Sequence, residues 1–444
     1  MRRHKLVALG IGVVVALAAG ITFAATAAAR HAASGGNVTP ATTTARQATG
    51  AGHGTGSAAG QDGHGVPGDP AAGRMAAVSP AIGLRPGAVS PSAAGLAAAQ
   101  AVLPKLTVAQ LAGQRVIYSY TGLTPPAGLL KLIRHGEVAG IIFFSGNVGT
   151  RAHLATVVKE LQRANASSGN PVRQPLLLMT DQEGGQVKRL PGEPILSAKQ
   201  IGESAHPWAE ATREGGLGAD NLRGVGLNVN LAPVLDVYRT AGNFIDEFGR
   251  SFSSDPAKVS KLGQLFATAE QQHGVAGTVK HFPGLGAATR TQNTDERPVT
   301  LTVPLDKLRS VDERPYKAAV AAKVKLAMVS WAGYPALDGK RPAGLSAKIV
   351  RGELRKRLGF AGVTITDALE AGALKNFGTT ANRAKVAARA GMDLVLCAEQ
   401  HYVQGNTAKN ALRSAYLLAG PAAQAAFEAA VERVIALRAT LPRG

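Results

Sequence analysis

Short runs of apolar residues alternate along this chain with stretches in which apolar and polar residues recur at helical spacing. Eight of the runs are mostly continuous, as expected for parallel strands that are buried on both faces. Several of the intervening stretches end in glycine just before the next run, which is a common helix stop. The strand candidates are RVIYSY (115–120), GIIFF (140–144), PLLLMT (175–180), LNVNLAP (227–233), GTVKH (277–281), LAMVSW (326–331), GVTIT (362–366) and DLVLC (393–397).

Eight strand–helix units in succession predict an α/β fold, a (β/α)₈ TIM-type barrel that forms a single domain over residues 101–444. A doubly wound open sheet shows the same alternation. Such a sheet normally carries a glycine-rich phosphate loop after its first strand, and the segment YSYTGLTPP is not of that kind. The barrel is therefore the preferred interpretation.

The segment before the barrel has a different pattern. A basic N-terminus precedes an uncharged, largely apolar run over residues 6–29 that contains the sequence Ala-Thr-Ala, so residues 1–29 are predicted to be a signal peptide. An uncleaved membrane anchor is the alternative, since such a run could span roughly 30 Å of hydrocarbon. Residues 30–100 are rich in Ala, Gly, Thr and Pro and are predicted to be a disordered linker. We therefore expect a secreted or extracytoplasmic domain, with membrane contact only through an uncleaved N-terminus.

Composition excludes several classes of site. The single cysteine, Cys397, cannot form an internal disulfide and rules out cysteine-based zinc and iron–sulfur sites. The net charge is +20, but no dense Lys/Arg stripe with interleaved aromatics predicts a nucleic-acid partner. Phosphate-binding and dinucleotide-binding loops are also absent from the sequence. The sequence thus implies no metal and no organic cofactor.

Polar residues follow the predicted strands where a TIM-type barrel places its functional groups, at the carboxyl ends. Charged side chains at the ends of apolar strands are costly if they are buried without a use. Their convergence at one barrel mouth predicts a binding site. They are Asp181 and Glu183 after the third strand, Lys280 and His281 at the fifth, Trp331 after the sixth and Asp367 after the seventh.

Four motifs are more specific: DQEGGQVKRL (181–190), GRSFSSDP (249–256), KHFPGLG (280–286) and ITDAL (365–369). In this order and spacing they resemble glycoside hydrolase family 3, and the single-barrel length is similar to the NagZ-type β-N-acetylhexosaminidases. The resemblance covers about residues 104–440. It implies a barrel that hydrolyses β-glycosidic bonds with retention of configuration. We do not expect the second, sandwich domain of the larger members.

The resemblance implies roles for individual residues. Asp367 matches the family's nucleophile, although an aspartate here could instead cap the next helix. For Arg250, a structural ion pair with Asp255 or another carboxylate is the competing interpretation. The residues that match sugar-binding positions are Asp181, Arg189, Arg250, Lys280 and His281.

One loop departs from the NagZ pattern. That subgroup carries Asp-Ser-His shortly after K-H-F-P-G-x-G, and its histidine is the general acid/base. Here the segment reads AATRTQNTDERP (287–298), and no histidine lies between His281 and His401. Asp295 is the preferred substitute and Glu296 the second candidate, since a carboxylic acid with a raised pKa can protonate a leaving oxygen. A solvated turn residue is the alternative for Asp295.

The expected partner is a carbohydrate, and a β-linked N-acetylglucosaminide derived from cell walls is the preferred interpretation. A β-glucosidase or β-xylosidase of the same family would use the same chemistry on another sugar. A barrel that binds sugar without turnover is the third possibility. The missing histidine favours it, whereas the retained Asp367, Asp181 and Lys280 argue against it.

Overall fold

The computed structural model describes residues 93–442. Eight parallel strands close into a barrel in which each strand pairs with its neighbours in chain order and the first also pairs with the eighth. Each strand lies within or overlaps one of the predicted runs, so the predicted (β/α)₈ barrel is confirmed. The strands are β1 (Val116–Tyr118), β2 (Gly140–Ile142), β3 (Leu177–Thr180), β4 (Val229–Asn230), β5 (Ala276–Phe282), β6 (Leu326–Val329), β7 (Val363–Ala368) and β8 (Leu394–Leu396).

Helices surround the barrel, and no helix within residues 93–442 is both long and apolar enough to cross a membrane. The α-helices are α1 (Ala93–Val102), α2 (Val108–Gly113), α3 (Ala127–Arg134), α4 (Ser145–Val148), α5 (Arg151–Asn165), α6 (Ala198–Glu203), α7 (Pro207–Arg223), α8 (Pro256–Gln272), α9 (Leu305–Lys307), α10 (Arg314–Ala321), α11 (Thr380–Ala390), α12 (Tyr402–Leu417) and α13 (Pro421–Arg438). Segments of 3₁₀- or π-helix are Leu103–Lys105, Leu308–Asp312, Ala343–Leu345, Lys348–Arg357 and Gly372–Phe377. Two small antiparallel hairpins pair Gln182–Gly184 with Val187–Lys188 and Gly333–Tyr334 with Asp338–Pro342.

Alternation along the strands separates two cores. Met179, Met328 and Ile365 belong to the cluster that fills the barrel interior, whereas their neighbours Leu178 and Val329 belong to the cluster under the helices. This is the period of two expected for strands buried on both faces. The C-terminal segment adds its own apolar residues to the interior cluster, and these lie near the start of the strands: Val434, Leu437 and Leu441. The opposite end of the barrel, where the strands finish, is left for the site.

Helix α1 corrects the predicted boundary of the linker. The predicted signal peptide and the linker up to residue 92 lie outside the described residues, but residues 93–100 are helical. Helix α1 packs against α13, with Ala99 fully buried, and Gln100 Nε2 donates to Glu432 Oε1 over 3.0 Å. The alanine-rich segment has a strong intrinsic helix propensity. Because it lacks polar positions, its sequence shows no amphipathic pattern that would indicate a helix. The ordered domain therefore begins before residue 101.

Candidate active site

Three charged side chains reach the barrel mouth because of strand alternation. Asp181 follows the interior residue Met179 by two positions, and Asp367 follows Ile365 in the same way. Lys280 lies four positions after the interior residue Ala276 on β5. Side chains that are two positions apart lie on the same face of a strand. All three therefore belong to the inward-facing side chains, in the last layer before the barrel mouth. The structure thus brings together strand-end residues that the sequence predicted.

Lys280 is the buried cation of the site. Its Nζ donates to Asp181 Oδ1 and lies beside Glu183 Oε1, each at 2.7 Å, and its side chain is only 2% exposed. Burial alone would lower the pKa of Lys280, but the charges of Asp181 and Glu183 outweigh that effect and raise it. Lys280 is therefore a fixed, protonated donor that can bind a sugar hydroxyl.

Arg250 forms a two-pronged ion pair with Glu183. Its Nε and Nη2 donate to the two carboxylate oxygens at 2.9 and 2.8 Å. Burial tends to raise the pKa of Glu183, but Arg250 and then Lys280 hold it below its ordinary value. The competing interpretation was an ion pair with Asp255 or another carboxylate, and the structure shows the second of these, since the partner is Glu183. Asp255 instead caps α8 by accepting from Ala257 N at 2.8 Å. Arg250 has another carboxylate as its partner and still lies at the site.

Asp181 is held between two cations. Besides Lys280, the Nη2 of Arg189 approaches Asp181 Oδ2 to 3.5 Å. Burial tends to raise the pKa of Asp181, but Lys280 and Arg189 hold it below its ordinary value. The carboxylate stays ionised and partly exposed, so it can accept hydrogen bonds from a sugar. Gln182, the residue after Asp181, fixes this loop. Its Oε1 accepts from the backbone amides of Arg189 and Leu190, each at 3.0 Å.

His281 depends on a residue that the sequence analysis missed. Its Nδ1 donates to Asp236 Oδ2 at 2.7 Å, and Asp236 Oδ1 accepts from Leu285 N at 2.7 Å. Asp236 is fully buried after β4. The bond fixes the ring and presents Nε2 as its other nitrogen for a ligand. A lone aspartate in the apolar segment after the fourth strand was the available signal.

Asp367 lies near the end of β7 and does not cap a helix. Its Oδ1 accepts from the amide of its neighbour Ala368 at 2.8 Å, whereas Thr379 caps α11. The indole Nε1 of Trp331 donates to Ala368 O at 2.8 Å, which supports the strand end from the side. The capping alternative is therefore wrong. Asp367 is a partly exposed carboxylate on a rigid element, as attack on a sugar requires.

Asp295 lies on the loop after β5, which is docked onto the segment after Asp367. The amide of Gly372 donates to Asp295 O at 2.7 Å, and that of Ala373 to Thr294 O at 2.9 Å. Asp295 is exposed as a residue, whereas neighbouring protein atoms partly exclude water from its carboxyl. This desolvation and the nearby charge of Asp367 raise its pKa to about 6. Asp295 is thus a carboxyl that keeps its proton up to a higher pH than an ordinary aspartate does.

Glu296 differs from Asp295 in the hydrogen bonds of its carboxylate and in the direction of its pKa shift. Its carboxylate accepts from Arg297 Nη2 at 2.8 Å and from Asn293 Nδ2 at 3.1 Å. The hydrogen bond from Arg297 is the main cause that holds its pKa below the ordinary value. A carboxylate that is stabilised in this way is a poor proton donor. The geometry therefore favours Asp295 over Glu296 as the acid.

Among the described residues, the acidic side chains of the site are not arranged to hold a metal ion. Within residues 93–442, no group of three or more His, Cys, Asp or Glu side chains is placed to hold a metal ion. The acidic residues at the mouth are instead paired with Lys280, Arg189 and Arg250.

Comparison with known proteins agrees with this geometry. The model of the glycosyl hydrolase family 3 N-terminal domain matches residues 106–437. The chain therefore belongs to glycosyl hydrolase family 3, and the predicted β-glycosidase that acts on O-glycosidic bonds is confirmed. An uncharacterized secreted glycosyl hydrolase of Arthroderma benhamiae is 45% identical over 348 residues, which cover 78% of this chain and 98% of that protein. A beta-hexosaminidase of Stenotrophomonas maltophilia is 30% identical, covering 63% of this chain and 84% of its own.

Two solved structures show the same likeness. A family 3 β-N-acetylglucosaminidase from a Paenibacillus species superposes with a TM-score of 0.68 at 32% identity, over 76% of this chain. The match spans 63% of that longer protein, less than two thirds of its length. A β-N-acetylhexosaminidase from Beutenbergia cavernae superposes with a TM-score of 0.67 at 30% identity, covering 75% of this chain and 98% of that one.

Proposed function

We propose that the protein is a retaining β-N-acetylhexosaminidase in which Asp367 is the nucleophile and Asp295 the general acid/base. One observation carries the assignment: the loop of Asp295 is hydrogen-bonded to the segment after Asp367, and desolvation together with the charge of Asp367 raises the pKa of Asp295 to about 6. Pairs of carboxyls whose environments push their pKa values apart are typical of acid and nucleophile in glycosidases.

The reaction takes two steps at these residues. Asp367 attacks the anomeric carbon while Asp295 gives its proton to the glycosidic oxygen, so the C–O bond to the leaving group breaks as the glycosyl–enzyme ester forms. The ionised Asp295 then removes a proton from water, which attacks the same carbon and releases Asp367. In a retaining enzyme the two carboxyls approach to about 5–5.5 Å when productive.

The remaining residues bind the sugar. Lys280, Arg189 and Arg250 supply donors in fixed directions, and Asp181 supplies an ionised acceptor. His281, oriented by Asp236, contributes its Nε2. These fixed groups hold a sugar ring over Asp367, and much of the rate acceleration in such sites comes from this positioning.

The sugar and the location are the finer parts of the proposal. An N-acetylhexosamine is supported by the hexosaminidase and β-N-acetylglucosaminidase names of the similar proteins. Action outside the cytoplasm on wall-derived N-acetylglucosaminides is supported by the signal-like N-terminus and by the secreted relative. The same N-terminus, left uncleaved, would tether the enzyme to the membrane.

Side-by-side assays with nitrophenyl β-N-acetylglucosaminide, β-glucoside and β-xyloside test this function. We expect the N-acetylglucosaminide to be hydrolysed with the highest kcat/KM, and nuclear magnetic resonance to show the β anomer of the sugar as the first product. A preference for glucoside or xyloside would overturn the sugar assignment alone. Absence of turnover with all three, combined with sugar binding, would show a barrel that binds without catalysis.

A further inference from the structure

The end of the barrel opposite the candidate active site carries a set of exposed cations. Helices of such a barrel run antiparallel to the strands, so their last turns and the loops that follow lie beside the strand starts. Six exposed cations at these positions, here called the basal cations, form no side-chain ion pair or hydrogen bond within residues 93–442. They are Lys131 and Arg134 on α3, Arg163 on α5, Lys323 before β6, Lys356 at the end of the segment Lys348–Arg357, and Arg389 on α11.

Few carboxylates compensate the basal cations. Asp220, at the end of α7, is the one exposed acidic residue at this end of the described chain, and His273 Nδ1 lies 3.0 Å from its Oδ1. The half-buried Glu137 has Lys409 as its partner. A cation in the last turn of a helix also compensates the helix dipole. The excess of unpaired cations nevertheless leaves this end of the barrel positive.

Two consecutive leucines are exposed at the same end. Leu417 and Leu418 lie where α12 finishes and are 56% and 89% exposed. This end of α12 is fixed beside the strand starts, because Tyr416 packs edge-on against Phe427 and the guanidinium of Arg115, directly before β1, lies over the same Phe427 ring. Compensation of helix dipoles does not account for apolar side chains at this position.

Basal cations flank the two leucines on both sides. On one side, α12 packs against α11, which carries Arg389 in its last turn. On the other side, α12 packs against α2, and Gln110 of α2 donates to the carbonyl of His135, the residue after Arg134. Apolar side chains among Lys and Arg are typical of surfaces that bind the headgroup region of anionic bilayers. A polyanion in solution would use the cations alone.

The position of α1 favours the same partner. Helix α1 is the first described element and packs against α13, whose Leu437 closes the barrel near the strand starts. The chain therefore enters the domain at the basal end, and the sequence before it contains the apolar run over residues 6–29.

We propose that the basal end of the barrel docks on an anionic lipid bilayer, with Leu417 and Leu418 in the headgroup region and the basal cations against lipid phosphates. The candidate active site, at the opposite end, then faces away from the bilayer. The proposal goes beyond the proposed function and does not depend on it, since no catalytic residue takes part.

Co-sedimentation with vesicles tests the docking by affinity. The protein is the chain without residues 1–29, the predicted secreted form, which keeps the closed barrel and both hydrophobic clusters. We expect it to bind phosphatidylcholine vesicles that contain phosphatidylglycerol at least about tenfold more tightly than pure phosphatidylcholine, and high salt to remove the difference.

Matched variants locate the contact. K131Q/R134Q/R389Q should weaken binding up to about 100-fold, since each Lys or Arg near an anionic surface contributes about fivefold. L417Q/L418Q should weaken it at least about tenfold, because the leucines leave water on binding. The control K307Q/K340Q/K375Q removes the same charge from exposed positions on the segments that follow β5, β6 and β7, towards the mouth, and should bind like the native chain.

A fluorescent label tests the orientation in the full chain. The single cysteine, Cys397, is buried, so an introduced cysteine can be labelled alone. Gly420→Cys places the label beside the leucines, where a Cβ meets nothing within 4 Å, and Val403→Cys places it at the other end of α12. With anionic vesicles, a nitrobenzoxadiazole label at position 420 should shift to the blue and brighten, whereas one at 403 should stay unchanged.

Three results would overturn the proposal. These are equal binding to both kinds of vesicle, equal losses in the two triple variants, and equal responses of the two labels. Tight binding of dissolved polyphosphate without vesicle binding would also contradict it, because the partner would then be a polymer. None of these measurements involves turnover, so their outcome is separate from that of the proposed function.

Discussion

The backbone amide of Gly372 donates a hydrogen bond to the carbonyl oxygen of Asp295 over 2.7 Å. This bond ties the loop that carries the candidate acid to the segment that follows the candidate nucleophile. A Cβ at position 372 would lie 2.2 Å from Glu296 O and 2.9 Å from Asp295 O, so only glycine permits the approach. The relative position of the two carboxyls is thus set by main-chain contact between two loops.

Gly372→Ala should displace the loop that carries Asp295 relative to Asp367. We expect the displaced loop to lower kcat/KM on a disaccharide by about 100-fold, as misplacement of a catalytic group by about 1 Å can do. Turnover of nitrophenyl glycosides, which need little acid assistance, should fall less. Gly352→Ala is the control, because a Cβ there meets nothing within 4 Å. Equal losses on both substrates would indicate general disruption and not loss of the acid.

The pH dependence of hydrolysis should report the raised pKa of Asp295. The first step requires the protonated acid, so kcat/KM should be highest below about pH 6 and fall as the pH rises through that value. The alkaline limb should vanish in Asp295→Asn. Asp312, which lies against Arg239 and whose pKa burial raises to about 7, is the control: Asp312→Asn should keep the limb. A limb that survives in Asp295→Asn would assign it to another group.

Asp295→Ala and Glu296→Gln should separate the two neighbouring carboxyls. Loss of the acid should slow a natural disaccharide by two to four powers of ten, the range typical of general acid catalysis, and activated aryl glycosides far less. Azide should partly restore the second step in Asp295→Ala, since a small anion attacks without a base. Glu296→Gln should behave like the native chain, because Glu296 is exposed and paired with Arg297. The reverse pattern would make Glu296 the acid.

Strand positions and strand-end chemistry were the parts that the sequence could predict. Continuous apolar runs located all eight strands, and position at the strand ends located Asp181, Lys280 and Asp367. Asp236 and Gly372 were missed because their roles arise from contacts with loops distant in sequence. Gln182 was missed because its role is to accept from backbone amides of its own loop. The docking of Asp295 likewise depends on backbone atoms, which leave no side-chain signal.

Truncation should show that α1 belongs to the folded domain. A chain that begins at residue 93 should keep kcat and KM within about twofold, because residues 93–442 contain every side chain assigned to the site. A chain that begins at residue 103 loses α1 and the burial of Ala99 against the core. We expect its Tm to fall measurably, since about 1 kcal/mol lowers Tm by roughly 1–2 °C in a domain of this size. Equal Tm values for the two truncated chains would show that the folded domain begins after α1.

In the proposed mechanism, Asp367 forms a covalent bond to the sugar. The direct measurement is mass spectrometry of the protein after treatment with 5-fluoro-N-acetylglucosaminyl fluoride, whose electron-withdrawing ring fluorine slows hydrolysis of the glycosyl–enzyme. We predict one added sugar on the peptide that contains Asp367, no label in a folded Asp367→Ala variant, and a loss of several powers of ten in kcat for that variant, each worth about 1.4 kcal/mol of barrier. A label on any other residue, or turnover close to native in Asp367→Ala, would contradict the account.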